Sequence, residues 1–270
     1  RQMCIRDRRK VISKLKLRAS YGQVGNANLG GRRFAYLSTI TDDYDTLNMY
    51  KWGLDSSYGL TGMAEGEVAV QDLTWEIVNK MNLGVELGFL NGMIDLQLDY
   101  FDERRKDIFM PRESVPMTAG FMKQPWKNFG KVTNQGVEVS LNVNKQFGKD
   151  LFVSLMGTFT YAHNEITEKD EPSAVVGTNR AETGHPVGQL TGYIAEGLFT
   201  EDDFEDVSTG KLKEGIPTQS FVSKLRPGDI RYRDVNGDGK VDVFDKSPIG
   251  GTKDPEIVYG LSLIQISEPT

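Results

Sequence analysis

Alternation of apolar and polar residues with a period of two is the feature that most constrains the fold of this chain. In the stretch 81–89 every second residue is apolar, namely Met81, Leu83, Val85, Leu87 and Phe89. Successive side chains of a β-strand point to opposite faces, so this pattern predicts a strand with one apolar face. The next turn signal is Asn91-Gly92, a dipeptide that predicts a two-residue type I′ hairpin.

Five other stretches of the chain show the same alternation. They are 15–21, 94–100, 137–143, 151–161 and 257–263. Helical periodicity is scarce, and no apolar run approaches the roughly 18 residues that a membrane-spanning helix needs. The sequence therefore predicts an all-β fold of antiparallel strands and excludes a helical membrane protein.

The connections between these strands differ in length at the two ends of the sheet. Two very short turns lie at one end, whereas long connections at about 22–74, 110–132 and 162–255 lie at the other. Outer-membrane β-barrels have this arrangement, with short periplasmic turns and long extracellular loops. Six strands cannot close a pore-sized barrel. If the fold is a barrel, this chain forms only part of it. A soluble β-sandwich with its apolar face turned inward is the alternative.

Charge and composition exclude several classes of protein. The net charge is −6, and the basic residues concentrate in residues 1–18, so the rest of the chain is acidic and a nucleic-acid partner is not expected. The single cysteine, Cys4, allows no disulfide within the chain. His163 and His185 are the only histidines, and no nucleotide-binding or nucleophile motif accompanies them, so we predict no enzyme site.

An Asp-rich stretch from 234 to 245 has the spacing of a calcium-binding loop. Oxygen ligands fall at positions 1, 3, 5, 7, 9 and 12 of such a loop, which are here Asp234, Asn236, Asp238, the carbonyl of Lys240, Asp242 and Asp245. Glycine occupies the sharp turn at position 6. The sequence predicts a structural calcium site with weak affinity, on the order of 10⁻⁴ to 10⁻³ M. An Asx-rich turn without metal is the alternative.

Several short motifs, in this order, resemble the SusC/RagA family of TonB-dependent outer-membrane transporters. The motifs are Leu15–Asn26, Leu73–Glu76, Asp99–Asp102, Lys106–Phe109, Asn128–Glu138, Gly184–Gly188, Gly192–Phe199 and Pro227–Asp229. The calcium-like loop and Ile249-Gly250 follow them. The resemblance covers roughly residues 13–263.

The resemblance implies a barrel of about 22 strands with a plug domain, in the bacterial outer membrane. It also implies import of oligosaccharides or peptides, energised by the TonB complex through an N-terminal region, together with a SusD-like surface lipoprotein. Polar side chains would line the lumen, namely Glu86, Asp95, Asp99, Glu138 and Asn142. An aromatic girdle would hold Tyr21, Trp75, Tyr100 and Tyr161 at the loop-proximal strand ends.

Aromatic residues in the long loops are candidate contacts for substrate or partner. The candidates are Trp52, Trp126 and Tyr193. Aromatic faces on loops can stack on sugar rings or pack the loop against itself, and the sequence leaves both readings open. Residues 1–12 and 264–270 do not continue the strand pattern, so we expect unstructured ends, foreign to the gene, around a barrel segment of residues 13–263. A secreted, calcium-stabilised β-sandwich that binds glycans is the alternative function.

Overall fold

The computed structural model describes residues 11–30, 32–41, 50–54, 58–60, 63–148 and 151–267. The chain divides into two compact units, Arg1–Asp170 with Glu256–Thr270, which we call the sheet unit, and Glu171–Pro255, which we call the loop unit. In the described residues no helix is long and apolar enough to cross a membrane.

One six-stranded antiparallel sheet dominates the sheet unit, with strand order β1-β6-β7-β8-β9-β18. Its strands are β1 (Ile12–Asn26), β6 (Glu76–Phe89), β7 (Ile94–Pro111), β8 (Trp126–Phe147), β9 (Leu151–Glu168) and β18 (Ile257–Ser267). All six strands predicted from the alternation are present. Each pairs with its neighbour along the chain, so short hairpin turns and long connections fall at opposite ends of the sheet, as predicted.

The register aligns the apolar positions of all six strands in continuous rows. One row contains Leu17, Val85, Leu98, Val139, Phe159 and Tyr259. The adjacent row on the opposite face contains Lys16, Glu86, Gln97, Ser140, Thr158 and Gly260. A shift of one residue in any pair would mix the two faces, so the side-chain pattern specifies this register.

The predicted two-residue turn at Asn91-Gly92 is wrong. Phe89 pairs with Ile94, so four residues connect β6 to β7, and Leu90–Gly92 form a 3₁₀ turn. Asn91 and Gly92 do have the positive φ that the dipeptide predicts, with values of 55° and 88°. Backbone hydrogen bonds to neighbouring segments stabilise the four-residue loop. The amide of Leu90 donates to the carbonyl of Val11, and the carbonyl of Met93 accepts from the amide of Asn144.

The strands are longer than the alternation indicates. The long connections are therefore shorter than predicted and comprise 27–75, 112–125 and 169–256. The last strand also continues to Ser267, although we expected it to end at Leu263, because backbone pairing with Leu151–Ser154 extends the ladder through residues 264–267. Residues 1–10 lie outside the described part, and β1 begins at Ile12.

The long connections contain short strands of their own, paired in two-stranded sheets. In the sheet unit these are β2 (Ile40–Thr41) with β5 (Ala64–Glu65) and β3 (Tyr50–Trp52) with β4 (Tyr58–Leu60). In the loop unit they are β10 (Gln189–Gly192) with β17 (Ser247–Thr252), β11 (Ala195–Leu198) with β15 (Ile230–Tyr232), β12 (Phe204–Asp206) with β13 (Lys211–Leu212), and β14 (Thr218–Gln219) with β16 (Lys240–Val241). Further 3₁₀ turns occupy Met117–Ala119, Glu201–Asp203 and Val243–Asp245.

The loop unit has a small hydrophobic core. Phe199, Phe204 and Leu225 are buried at its centre, and Leu212, Ile216 and Val222 pack around them. The rings of Phe199 and Phe204 meet edge to face, with centroids 5.8 Å apart. This core and the short strand pairs make the connection between β9 and β18 an ordered unit.

Candidate functional site

The apolar face of the six-stranded sheet is exposed, unlike the apolar face of a sheet in a water-soluble protein. On the apolar face Leu83 is 47% exposed and Phe159 is 41% exposed, although both lie on interior strands. On the opposite face Asp99 is only 7% exposed. A soluble sheet buries its apolar face, whereas the strands of an outer-membrane barrel turn that face to lipid and the polar face to the lumen.

On β7 and β9 the apolar face ends at a tyrosine. Tyr100 and Tyr161 lie in one register row, and on β7 the next outward positions are Asp102 and Arg104, which form an ion pair of 3.0 Å. Tyr100 and Tyr161 of the predicted aromatic girdle therefore lie within their strands rather than at the strand ends, since β7 continues to Pro111 and β9 to Glu168. Trp75, in contrast, immediately precedes β6, as predicted. The charged extension accounts for the strand length beyond the roughly 9–11 residues that cross a bilayer.

An ion network crosses three strands of the polar face. Glu86 on β6 contacts Lys14 at 2.7 Å and Lys16 at 3.1 Å, both on β1. From the same strand β1, Arg18 reaches Asp99 on β7, where its Nη2 donates to both carboxylate oxygens at 2.9 Å. Gln97 donates to Asp99 as well, at 2.8 Å. The predicted lumen residues share this face, and the network fixes the cationic side chains of β1 against the acids of β6 and β7.

Gly84 makes the link between Arg18 and Asp99 possible. It lies between them in the register row, and a Cβ at this position would lie 2.3 Å from Oδ1 of Asp99 and 3.1 Å from Nε of Arg18. We expect Gly84→Ala to displace this ion pair and to destabilise the barrel by about 1–3 kcal/mol, the usual effect of overpacking. The measurement is a urea titration of the folded fraction of the protein.

Gly157→Ala is the matched control for this prediction. The nearest side-chain atom to a Cβ at Gly157 is 3.9 Å away, so the added methyl group has room. We expect no loss of stability, because alanine also restricts the unfolded chain more than glycine does. Equal losses in the two variants would contradict the proposed role of Gly84.

Asp170 fastens the 112–125 loop to the end of β9. Its carboxylate is buried and accepts hydrogen bonds from Nε of Arg112 at 3.0 Å and from the amide and hydroxyl of Ser114 at 3.1 and 2.8 Å. Burial alone would raise the pKa of Asp170, but the hydrogen bonds from Ser114 and Arg112 outweigh it and hold the pKa below its ordinary value of 3.8.

This carboxylate predicts a pH dependence of the loop. A group with a lowered pKa in the folded state stabilises that state above its unfolded pKa, and the contribution is lost as the pH falls through the folded pKa. We therefore expect residues 112–125 to lose hydrogen-exchange protection as the pH falls below the ordinary carboxyl value of 3.8, after correction for intrinsic exchange rates. The Asp170→Asn variant should lack this change, and an identical pH profile in both proteins would refute the prediction.

Trp126 is packed into the loop-proximal end of the sheet. Its ring lies 5.1 Å from the ring of Phe109, and the guanidinium carbon of Arg32 lies 4.2 Å from its centroid. These contacts favour the packing interpretation over substrate stacking for Trp126. Trp52 belongs to β3, but its side chain lies outside the described part of the chain.

Tyr193 forms an aromatic cluster with two residues that the sequence did not single out. Its ring stacks on Phe221 at 4.8 Å and contacts Tyr232 at 5.5 Å, and Phe221 is 46% exposed. Burial, together with the carboxylates of Asp242 and Asp245, raises the pKa of Tyr193 above 10.0, so its hydroxyl stays neutral. The cluster presents one aromatic surface on the loop unit. The sequence did not predict that Phe221 and Tyr232 belong to this cluster, because its three residues are far apart in the sequence.

The carboxylates of the predicted calcium loop bind the loop's own amides. Asp234 accepts from Gly237 and Gly239, each at 2.7 Å, and Asp245 is fully buried and accepts from Val235 and Asp242 at 2.9 and 2.7 Å. Within the described residues, no group of three or more His, Cys, Asp or Glu side chains is arranged to hold a metal. Amide hydrogen bonds alone can hold this loop, and calcium binding stays a prediction.

Comparison with known proteins agrees with these observations. A sequence profile of the family described as TonB dependent receptor-like, beta-barrel, matches residues 10–248. The TonB-dependent receptor SusC of Bacteroides thetaiotaomicron is 29% identical over 239 residues, which are 87% of this chain and 22% of SusC. A TonB-dependent receptor of Formosa agariphila is 26% identical over 275 residues, covering 93% of this chain and 25% of that protein.

Solved structures show the same fold. The structure of the RagAB peptide transporter matches with a TM-score of 0.63 at 21% identity, over 96% of this chain and 26% of the compared chain. The chain thus spans about a quarter of the length of the proteins that it resembles. Since the profile covers most of the chain and the apolar face of the sheet is exposed, as in a membrane barrel, the chain belongs to the TonB-dependent receptor family, as part of an outer-membrane β-barrel.

Proposed function

We propose that the receptor to which this chain contributes imports oligosaccharides or peptides across the outer membrane, and that it is a transporter rather than an enzyme. The observation that carries the proposal is the exposed apolar face of the sheet, opposite a face that carries a network of ion pairs. Charged and amide side chains on the lumen face can form hydrogen bonds with water and polar solutes, which lipid chains cannot do. The family membership, and relatives that include SusC and the RagAB peptide transporter, support the same function.

The energy source and the partner are parts of this proposal. Import is driven by the TonB complex, which acts on regions outside this chain, and a SusD-like surface lipoprotein assists capture at the loop side of the barrel. The ordered loop unit, with its aromatic cluster of Tyr193, Phe221 and Tyr232, is a surface suited to stacking on a sugar or a peptide side chain.

Uptake in cells tests the proposal. A strain without the receptor should lose accumulation of a labelled oligosaccharide mixture or a labelled peptide mixture, and the full-length gene should restore it only when TonB is present. Co-purification from outer membranes should recover a surface lipoprotein. Unchanged uptake of both mixtures in the deletion strain would contradict the import function.

The alternative of a secreted, calcium-stabilised β-sandwich fits the structure less well. A sandwich would bury residues such as Leu83 and Phe159, which are exposed here on interior strands. Extraction distinguishes the two, because a barrel requires detergent to leave the outer membrane, whereas a secreted module is soluble without it.

A further inference from the structure

The loop unit contains a pocket that none of the predicted site residues lines. Its volume is about 430 Å³, and its walls come from two segments, 180–191 and 243–248. Pockets that hold small organic ligands have volumes of roughly 300–1,000 Å³. The pocket is therefore large enough for a short peptide end or one to two sugar rings.

Basic side chains stand on both walls of this pocket. Arg180 and His185 belong to the first segment, and Lys246 belongs to the second. The guanidinium carbon of Arg180 lies 5.0 Å from the ring centroid of Phe244, and Nζ of Lys246 lies 5.7 Å from that of Tyr193. Aromatic rings thus help to orient both cations.

Hydrogen bonds hold the two walls together. Asn179 donates through its side-chain amide to the carbonyl of Lys246 at 2.7 Å, which ties the first segment to the second. Gln189 donates to the carbonyl of Gly250 at 2.8 Å, and β10 and β17 pair across the same region. The buried carboxylate of Glu171 accepts from the hydroxyl of Thr183 at 3.0 Å and so fixes the turn that precedes His185. The pocket is preformed, which lowers the entropy lost on binding.

We infer that this pocket binds the carboxylate group of a nutrient-sized ligand, with Arg180 and Lys246 as the cationic contacts. The planar guanidinium of arginine matches a carboxylate through two parallel hydrogen bonds. Glu182 also lines the pocket, and its negative charge repels a doubly charged phosphate more strongly than a singly charged carboxylate. A peptide C-terminus and a uronate sugar share the required group. The inference deepens the proposed import function and rests on it for the fate of the ligand.

Binding to the purified full-length receptor in detergent tests the inference without transport. Isothermal titration compares trialanine with its C-terminal amide, and a uronate disaccharide with its neutral counterpart. We expect one acid to bind about ten- to a hundredfold more tightly than its neutral partner, since a hydrogen-bonded charge contributes on that scale. The acid that binds identifies the substrate class. Equal binding within both pairs, or binding by neither acid, overturns the inference.

Substitutions locate the binding in the pocket. Arg180→Gln and Lys246→Gln should each remove most of the preference for the acid, and Arg180→Lys should retain part of it. Lys213→Gln is the matched control, because it removes the same charge from an exposed lysine of the loop unit that does not line the pocket. If Arg180→Gln does not reach the membrane, the preference of Lys246→Gln for the acid over its neutral partner tests the inference. Unchanged preference in these variants refutes the inference, whereas acid binding by the parent receptor together with unchanged uptake in the deletion strain refutes only the import function.

Discussion

Arginine in place of Val139 is expected to destabilise the folded receptor by about 2–4 kcal/mol, the effect of a cationic side chain on the lipid face near the bilayer midplane. Val139 lies in the middle of the apolar face, between Leu98 of β7 and Phe159 of β9 in the same register row. The measurement is the fraction of full-length receptor that migrates as folded barrel without heating, followed through a urea titration in lipid vesicles.

The adjacent residue on the same strand supplies the control. Ser140 belongs to the opposite face and lies between Gln97 and Thr158 in its register row. Glu86 lies in the same row, on the far side of Gln97. Arginine at Ser140 faces water and an acidic neighbour, so we expect a change of less than about 1 kcal/mol. Similar losses for Val139→Arg and Ser140→Arg would show that the two faces do not differ in environment.

Alanine in place of Asp245 is expected to unfold the 234–245 loop locally. The Asp245 carboxylate is fully buried and accepts hydrogen bonds from the amides of Val235, Asn236 and Asp242. Val235 and Asn236 are exposed and Asp242 is half-buried, so water can replace part of these hydrogen bonds, and we expect a loss of about 1–3 kcal/mol. Hydrogen exchange of residues 234–245 in the full-length receptor should rise strongly, while exchange in β8 and β9 stays unchanged.

Asp238→Ala separates this structural role from calcium binding. Asp238 is exposed and accepts from the amide of Lys240 at 2.9 Å, so without calcium its loss should raise exchange only slightly. Titration of calcium into the parent receptor should show weak binding that Asp238→Ala reduces. A parent receptor that binds no calcium refutes the calcium prediction, and normal protection of the loop in Asp245→Ala refutes the role of Asp245.

Periodicity predicted the sheet well because both faces have a uniform environment. Val85 and Glu86, for example, are adjacent in sequence and belong to rows of opposite polarity that run through six strands. The strand ends near the long connections were harder to predict. On β7 the alternation of apolar residues stops at Tyr100, and the same face becomes charged at Asp102. Backbone pairing continues there without the apolar alternation.

Contacts between distant residues account for what the sequence did not predict. The hairpin at Asn91 is lengthened by backbone bonds to Val11 and Asn144, which belong to neighbouring parts of the sheet. Asp170 binds Arg112 and Ser114, more than 50 residues away, and no local pattern marks it. In the same way, the pocket walls hold Arg180 and Lys246, whose proximity depends on the fold of the whole loop unit.

The central claim is that the two faces of the sheet meet lipid and water respectively, and residue-by-residue accessibility along β7 tests it most directly. Nitroxide labels placed singly at positions 96–100 of the full-length receptor in lipid vesicles report collisions with oxygen, which partitions into lipid, and with a polar nickel complex. We expect oxygen accessibility to exceed nickel accessibility at 96, 98 and 100, and the opposite order at 97 and 99. The reverse phase, or no alternation between these positions, would contradict the central claim.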